Sequence, residues 1–378
     1  MDRGKPENTA VLLGSVQSPA SRPDYAQRSL PPNSGGLFCC MGVEVTVSQT
    51  EGHRLGPRET VKDKRWHPVP VLPRTLPALL NQEFIRLDEE YPLALPELRK
   101  ATTLLVGSDY SGEATESPYS VFSFLVTSLE SLGRWEPARI HIRQAYLKDS
   151  RRMSFKRLGD GQKQRALRPL LEAANGLEGL SFSIAIAKRC KSIFADRTPL
   201  DLSNPQFSAF RKWKPLVLEK AFFVLHVIGV LLGGLAAPGQ NTLWFTDEDS
   251  IAANDQRVRE LTQLFAWITS QYLRFMLGNC RVGTTKSDDG SRQIEDFVAI
   301  PDLIAGALAE QLAAKTGDPE IAGVFWMHRP DFSDKTRNIN WWFSDARKPL
   351  KRLFCVVDPT ADGNGHLLSS FHFWDQAG

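Results

Sequence analysis

The chain has 378 residues, 24% of them charged, and a formal net charge of +3 at pH 7. This small net charge says little about partners, and the length fits one large α/β unit with extensions or about two domains. The five cysteines are odd in number and show no Cys-x-x-Cys spacing, which argues against a disulfide framework and a structural zinc site. The N-terminus lacks a secretory signal pattern. We therefore expect a cytoplasmic protein.

The N-terminal part of the chain is rich in proline. The first 100 residues hold half of the 24 prolines, and the first 75 show no sustained helical or strand periodicity. Such a segment cannot bury a core. We predict a mostly disordered extension over residues 1–75 and a linker helix over 76–100. The folded domain is predicted over 101–316, with a C-terminal extension, 317–378, packed on it.

The predicted elements of the domain begin with two strands in residues 101–130, joined by a polar turn. The alternation of Ile140 and Ile142 predicts a third strand beside them. A helix, a strand, a long apolar helix, a strand and an amphipathic helix follow. A last helix is predicted to begin at Pro301, because proline suits a first helical turn. This order predicts an α/β fold with a ribonuclease H-like mixed sheet, an antiparallel meander followed by alternating α and β elements, with helices on both faces.

The long apolar helix, residues 216–237, has two interpretations. It is slightly short for a membrane span, and Glu219 and Lys220 lie at its start. A helix that covers a sheet can be apolar nearly all round. We favour the buried helix and predict no membrane partner, with a membrane span as the alternative.

Acidic residues follow two predicted strands and open the last predicted helix. Taken singly, Asp109 can be a turn residue, loops are often acidic, and Asp302 can stabilise a helix N-terminus. Taken together, they are the ligands that two divalent cations need for phosphodiester hydrolysis. The set comprises Asp109 and Glu113 after the first strand, Asp247, Glu248 and Asp249 after the later strand, and Asp302.

Three motifs in residues 103–312 carry a family resemblance: SDYSGE after the first strand, LWFTDED in the later strand, and VAIPDLIAGAL at the last helix. They resemble the uncharacterised ribonuclease H-like family called domain of unknown function 3800, and the last motif is the most specific. The resemblance implies a site for Mg²⁺ or Mn²⁺. Its implied catalytic residues are Asp109, Asp247, Asp302 and Glu113, and its implied metal ligands are Asp109, Asp247 and Asp302, with Glu248 and Asp249 as near substitutes.

The chain departs from the family pattern at three places. Tyr110 stands where the family often has Glu, and Ala299 stands where a Gln is usual. The family's acid before Lys148 is also missing. The main hypothesis is a metal-dependent nuclease acting on DNA or RNA. The alternative is a catalytically degenerate relative that binds nucleic acid or a protein partner, and a homo-oligomer is also open.

A basic stretch precedes the predicted second helix. Eleven Lys or Arg residues face three acids between Arg134 and Arg168, an excess that could neutralise phosphates, although a solvated loop and helix face explain it equally well. Trp326, Trp341 and Trp342 could stack on bases or belong to the core. The candidate nucleic-acid-binding residues are Lys148, Arg151, Arg152, Lys156 and Arg157.

Overall fold

The described part of the protein excludes most of the predicted N-terminal extension. The computed structural model describes residues 64–69, 75–190, 210–314, 332–345, 348–361 and 365–372. The prediction of disorder over residues 1–63 and 70–74 lies outside the described residues, as does Trp326.

Seven strands form one mixed sheet. They are β1 (Thr103–Ser111), β2 (Tyr119–Ser128), β3 (Gly179–Ala187), β4 (Asn241–Thr246), β5 (Cys280–Thr284), β6 (Leu350–Pro359) and β7 (His366–His372). Their spatial order is β5-β4-β1-β2-β3-β6-β7. β2 and β7 run antiparallel to their neighbours, and the remaining neighbouring pairs are parallel.

In the described ranges, seven helices cover the sheet. They are α1 (Leu76–Glu90), α2 (Leu129–Tyr146), α3 (Gly161–Ala174), α4 (Pro215–Leu235), α5 (Asp255–Ser270), α6 (Gln293–Ala314) and α7 (Asp334–Phe343). The first face of the sheet packs against α1, α4 and α5, and the second face packs against α2, α3, α6 and α7. The predicted α/β class, with a mixed sheet and helices on both faces, is confirmed.

Helix α4 is apolar nearly all round because the fold encloses it. Among the described residues, α4 and α6 are long and apolar enough to cross a membrane by length and composition, and most of each is buried within the protein. The ring of His226 on α4 lies with its Nδ1 2.6 Å from the Tyr272 hydroxyl. Burial lowers the pKa of His226 to about 4, so this is a neutral core histidine.

The predicted third strand is wrong, because Ile140 and Ile142 lie in α2. The third strand in the sheet is β3, and α2 and α3 intervene between β2 and β3, so the three strands are not a simple meander. The buried positions of α2 recur at helical spacing, but one of them is Arg139. A charged residue on the buried face hid the helical period from the hydrophobic pattern. The main buried positions are Leu132, Trp135, Arg139 and Ile142.

The predicted start of the last helix at Pro301 is also wrong. Helix α6 begins at Gln293, and Pro301 lies inside it. An internal proline costs a helix about 3 kcal/mol. Here both sides of the proline are buried against the sheet, since α6 packs on β1 and β2. Packing of this apolar face therefore outweighs the lost backbone hydrogen bond.

The segment before α1 contradicts the N-terminal prediction at Trp66. This side chain is 1% exposed, its Nε1 donates to the Val230 carbonyl at 2.9 Å, and its ring stacks on Phe84. A Cβ at Gly234 on α4 would lie 2.0 Å from the Trp66 ring. Residues around Trp66 therefore belong to the core of the first face.

The C-terminal segment joins the sheet itself. β6 pairs parallel with β3, and β7 pairs with β6. The sheet thus continues past residue 316, where we placed the end of the domain, and residues after 317 supply two of its strands. Sequence periodicity did not reveal this because the pairing joins distant parts of the chain.

Glycine at position 107 sets the distance between α6 and β1. A Cβ there would lie 2.8 Å from Cε1 of Phe297 on α6, which is closer than real Cβ atoms come to carbon. Only glycine allows the helix to rest directly on the strand backbone. The close contact brings α6 to the sheet beside the end of β1.

Candidate functional site

Two acidic residues lie side by side where parallel strands end. Ser108 of β1 is in register with Thr246 of β4, so Asp109 and Asp247 occupy the next positions along the two strands. Side chains alternate along a strand. Asp109 shares the side of Leu105, and Asp247 shares the side of Phe245, and both of these apolar residues pack on the second face. The two carboxylates therefore project toward α6.

Helix α6 supplies the third carboxylate. Asp302 is more than two turns from the start of α6, so it does not stabilise a helix N-terminus, and that explanation of it is wrong. Its Oδ2 accepts a hydrogen bond from the backbone N–H of Phe155 at 2.8 Å. Asp302 interacts electrostatically with Asp109 from the middle of α6, and not from a helix start as predicted.

The electrostatics of the site show that these carboxylates interact. Burial raises the pKa of Asp109 well above its ordinary value, and repulsion from Asp302, Asp247 and Asp249 raises it further, whereas a backbone hydrogen bond from Tyr110 lowers it. Burial raises the pKa of Asp302 to about 6, with Arg152 and Lys156 opposing the rise. Ionising these carboxylates together is thus costly.

Asp247 differs because a cation already lies against it. Burial alone would raise the pKa of Asp247, but Arg152 and other hydrogen-bond donors bring it below its ordinary value. Nη2 of Arg152 lies 2.8 Å from Oδ1 of Asp247, and the Thr285 hydroxyl donates to the same oxygen at 3.0 Å. The backbone N–H of Glu248 also donates to Oδ1 at 2.8 Å. This oxygen is therefore fully occupied by partners within the chain.

Each of the three carboxylates nevertheless keeps one oxygen available. Within the described residues, no group donates a hydrogen bond to Oδ2 of Asp109, Oδ2 of Asp247 or Oδ1 of Asp302. Carboxylate oxygens are the ligands that Mg²⁺ and Mn²⁺ favour, so the donor set fits these cations. In their present arrangement, however, no three His, Cys, Asp or Glu side chains of the described chain are grouped closely enough to hold one metal ion. Binding of one metal ion by these carboxylates would need rotation of their side chains.

The remaining predicted acids do not join this cluster. Glu113 and Asp249 both form ion pairs with Nζ of Lys220 at 2.5 Å, and Lys220 lies over the ring of Tyr110 on the first face of the sheet. Glu248 is exposed and pairs with Lys286 at 2.8 Å. Each of these three acids is thus paired with a lysine, although the charge of Asp249 still repels Asp109.

The predicted basic residues have different surroundings. Arg151 forms ion pairs with Asp149 and Asp160, and Asp160 also caps α3. Arg152 is held by Asp247, as above. Lys156 is exposed near Asp302 and interacts with it electrostatically. Lys148 and Arg157 are exposed on the same loop.

Sequence reasoning missed two partners of the acids. Arg152 was predicted to contact phosphate, and its role as a counterion of Asp247 had no local signal because the two residues are far apart in sequence. Lys220 was noted only as a polar residue at the start of an apolar helix. The position of Lys220 near the ends of β1 and β4 depends on the order of the strands in the sheet, which the sequence alone does not give.

The raised pKa values predict a pH dependence of stability. A carboxyl whose folded-state pKa is raised favours the folded state when protonated, and this contribution is lost as pH rises from the ordinary value near 4 through the raised value. In EDTA-containing buffer we expect the free energy of unfolding to fall between about pH 4 and pH 7 by on the order of 1–3 kcal/mol relative to Asp109→Asn/Asp302→Asn. Chemical denaturation across this pH range measures it.

The control for this pH dependence is Asp247→Asn. Because the pKa of Asp247 is lowered in the folded state, its contribution has the opposite sign, is present above its ordinary pKa, and is lost as pH falls. A parent protein and a double variant with parallel stability curves between pH 4 and pH 7 would contradict the repulsion described here.

Comparison of the sequence with protein-family models and with functionally characterised proteins finds no match.

Proposed function

We propose that the protein is a ribonuclease H-like, Mg²⁺- or Mn²⁺-dependent nuclease that hydrolyses phosphodiester bonds at Asp109, Asp247 and Asp302. The observation that carries the proposal is the meeting of three carboxylates, from the ends of β1 and β4 and from α6, on one face of the sheet. The mixed sheet with helices on both faces and the three family-like motifs support it. DNA or RNA is the proposed substrate.

The chain's own residues have distinct roles in this proposal. Asp109, which is repelled by both other carboxylates, would hold two cations, and Asp247 and Asp302 would hold one each, after the side chains have rotated toward one another. Bound divalent cations supply charge neutralisation and a water of lowered pKa. Lys156 and Arg157, exposed on the loop beside Asp302, would contact the phosphate backbone. Glu113 is not assigned a role because it pairs with Lys220 on the other face.

A second candidate function is nucleic-acid binding without cleavage. The observation that favours it is the ion pair between Arg152 and Asp247, because a guanidinium occupies one oxygen of a required ligand. In such a relative, the arginine would replace the charge of the cation permanently. The same basic loop would then bind the nucleic acid.

The test uses Asp109→Asn, which keeps the shape of the side chain but removes one charge. We expect Mg²⁺ or Mn²⁺ to raise the thermal midpoint of the parent by mass action, since cations relieve the repulsion among the carboxylates. The variant should lose most of this shift and all cleavage of single- and double-stranded substrates. Its metal-free form should be at least as stable as the parent, because Asp109 is costly to ionise.

The matched control is Glu248→Gln, which removes an exposed acid from the same loop region as Asp247. It should keep the metal response and the cleavage of the parent. If the parent protein folds normally but shows neither a metal-induced shift of the thermal midpoint nor cleavage, the nuclease proposal is wrong. Binding of nucleic acid by that same inactive protein, weakened in Lys156→Gln/Arg157→Gln, would then support the second candidate.

A further inference from the structure

A cavity of about 470 Å³ opens at the end of the sheet opposite the carboxylates. Lys100 lines it just before the start of β1, and Pro238 lines it just before β4. Asp109 lies near the other end of β1, roughly 20 Å away at about 3.3 Å per strand residue. The cavity therefore shares no residue with the proposed nuclease site, and the inference below goes beyond that function.

The lining of the cavity is strongly basic. Five Lys or Arg side chains face one glutamate, Glu97. The carboxyl end of α4 also contributes to the wall, and its partial negative charge accounts for part of this concentration of cations. The five cations are Lys64, Arg65, Arg99, Lys100 and Arg274.

Three of these cations already have partners. Lys64 pairs with Glu89, and Arg99 pairs with Glu97. Arg65 donates to both oxygens of Asp88 and to the backbone carbonyls of Pro92 and Pro96. These residues build the wall of the cavity. Their charges are matched by acids of the same chain.

The other two cations are uncommitted. Lys100 and Arg274 are exposed at the rim, and neither forms a hydrogen bond or ion pair through its side chain with the described part of the chain. They come from different segments, one before β1 and one after α5. Two cations that line one cavity and have no partner in the described part of the chain match a dianion. A guanidinium in particular can bind phosphate oxygens through two parallel hydrogen bonds.

The inner wall offers apolar surface and one buried polar group. Ala236, Ala237 and the half-buried ring of Phe275 line the cavity. Asn81 is 3% exposed, and its Nδ2 donates to the His67 carbonyl at 2.8 Å. No described residue donates a hydrogen bond to its Oδ1. This oxygen can accept a hydrogen bond from a ligand hydroxyl or amino group.

We propose that this cavity binds a phosphate monoester that carries a flat organic group, of the size of a mononucleotide. Its volume lies within the range of small-molecule sites, about 300–1,000 Å³. The phosphate group lies between Lys100 and Arg274 at the rim, and the organic group lies on Phe275 and the alanines. Binding of such a ligand does not require the nuclease activity.

The experiment is titration calorimetry on the full chain with adenosine monophosphate, inorganic phosphate and adenosine as three separate probes. EDTA is present throughout, so that metal-bridged binding at the carboxylates does not contribute. We expect adenosine monophosphate to bind best, phosphate more weakly, and adenosine more weakly still. The double variant Lys100→Gln/Arg274→Gln should lose at least tenfold in affinity for adenosine monophosphate.

Two further variants place the binding in the cavity. Arg281→Gln, which removes an exposed arginine of β5 outside the lining, should leave the affinity unchanged. Ala237→Leu takes up space at the inner wall of the cavity without altering charge. It should weaken the binding of adenosine monophosphate more than the binding of phosphate. Absence of heat with all three probes, or equal affinity in the parent and in Lys100→Gln/Arg274→Gln, overturns the proposal. Asp109→Asn should bind as the parent does, so this result is independent of the nuclease test.

Discussion

Replacing Asp296 by alanine is expected to lower the free energy of unfolding by about 3–5 kcal/mol. Asp296 on α6 is 1% exposed and binds two arginines of α2. Nη1 of Arg139 lies 2.9 Å from its Oδ2, and Arg143 donates to both carboxylate oxygens at 2.6 and 2.7 Å. Removing the carboxylate leaves Arg139, itself 2% exposed, with only Glu136 as a charged partner. Denaturant unfolding monitored by circular dichroism measures the loss.

The control for this prediction is Glu172→Ala, which breaks an exposed pair with Arg168 on α3. Exposed pairs contribute about 0–1 kcal/mol, so the loss should be small. Adding Arg143→Ala to Asp296→Ala should recover part of the stability, because Arg143 loses the ion pair that the structure describes for it, whereas Arg139 keeps Glu136. A loss below about 1 kcal/mol for Asp296→Ala would show that water reaches the arginines, against the burial described here.

Replacing Trp66 by alanine should destabilise the protein by about 3–5 kcal/mol, the usual cost of deleting a large buried aromatic residue. The indole fills the space above Gly234 and stacks on Phe84, with ring centroids 5.2 Å apart. Its removal leaves a cavity between α1 and α4 and takes away the hydrogen bond that the indole N–H donates to the Val230 carbonyl. The thermal midpoint should fall accordingly, by about 2–4 °C per kcal/mol for a domain of this size.

The size-matched control is Trp341→Ala on α7, whose side chain is 51% exposed. Its loss should be well below that of Trp66→Ala. If Trp66→Ala unfolds at the temperature of the parent, the segment before α1 does not pack on α4. The predicted disordered extension would then include these residues.

The sequence predicted most elements of the fold and a mixed sheet, but not the order of the strands in that sheet. The apolar runs of β1, β2, β3, β4 and α4 are contiguous, so their type follows from short windows. The prediction for α2 was wrong because the buried face of this helix includes Arg139, whose burial depends on Asp296 in a distant helix. The predicted start of α6 was wrong because the preference of proline for a first helical turn was given more weight than burial of the preceding turn. Both errors come from tertiary packing that no local window contains.

The acidic residues of the candidate site could be predicted from the sequence, but the basic residues that pair with them could not. Asp109 and Asp247 follow predicted strands, which short sequence windows show, whereas the parallel pairing of those two strands is known only from the structure. The capture of Asp247 by Arg152, and of Glu113 and Asp249 by Lys220, depends on the loop and helix positions around them. The short range of ion pairing means that only coordinates can assign such partners.

The pairing of β3 with β6 has a consequence for synthesis of the chain. All nine residues of β3 are buried, and one of its two edges is closed by β6, where Gly179 pairs with Leu350. At translation rates of about 5–20 residues per second, β3 leaves the ribosome roughly 10–30 s before its partner exists. During that interval its backbone presents an open, apolar edge to other chains. We therefore expect β3 to be a site of aggregation in the nascent protein until the C-terminal strands are made.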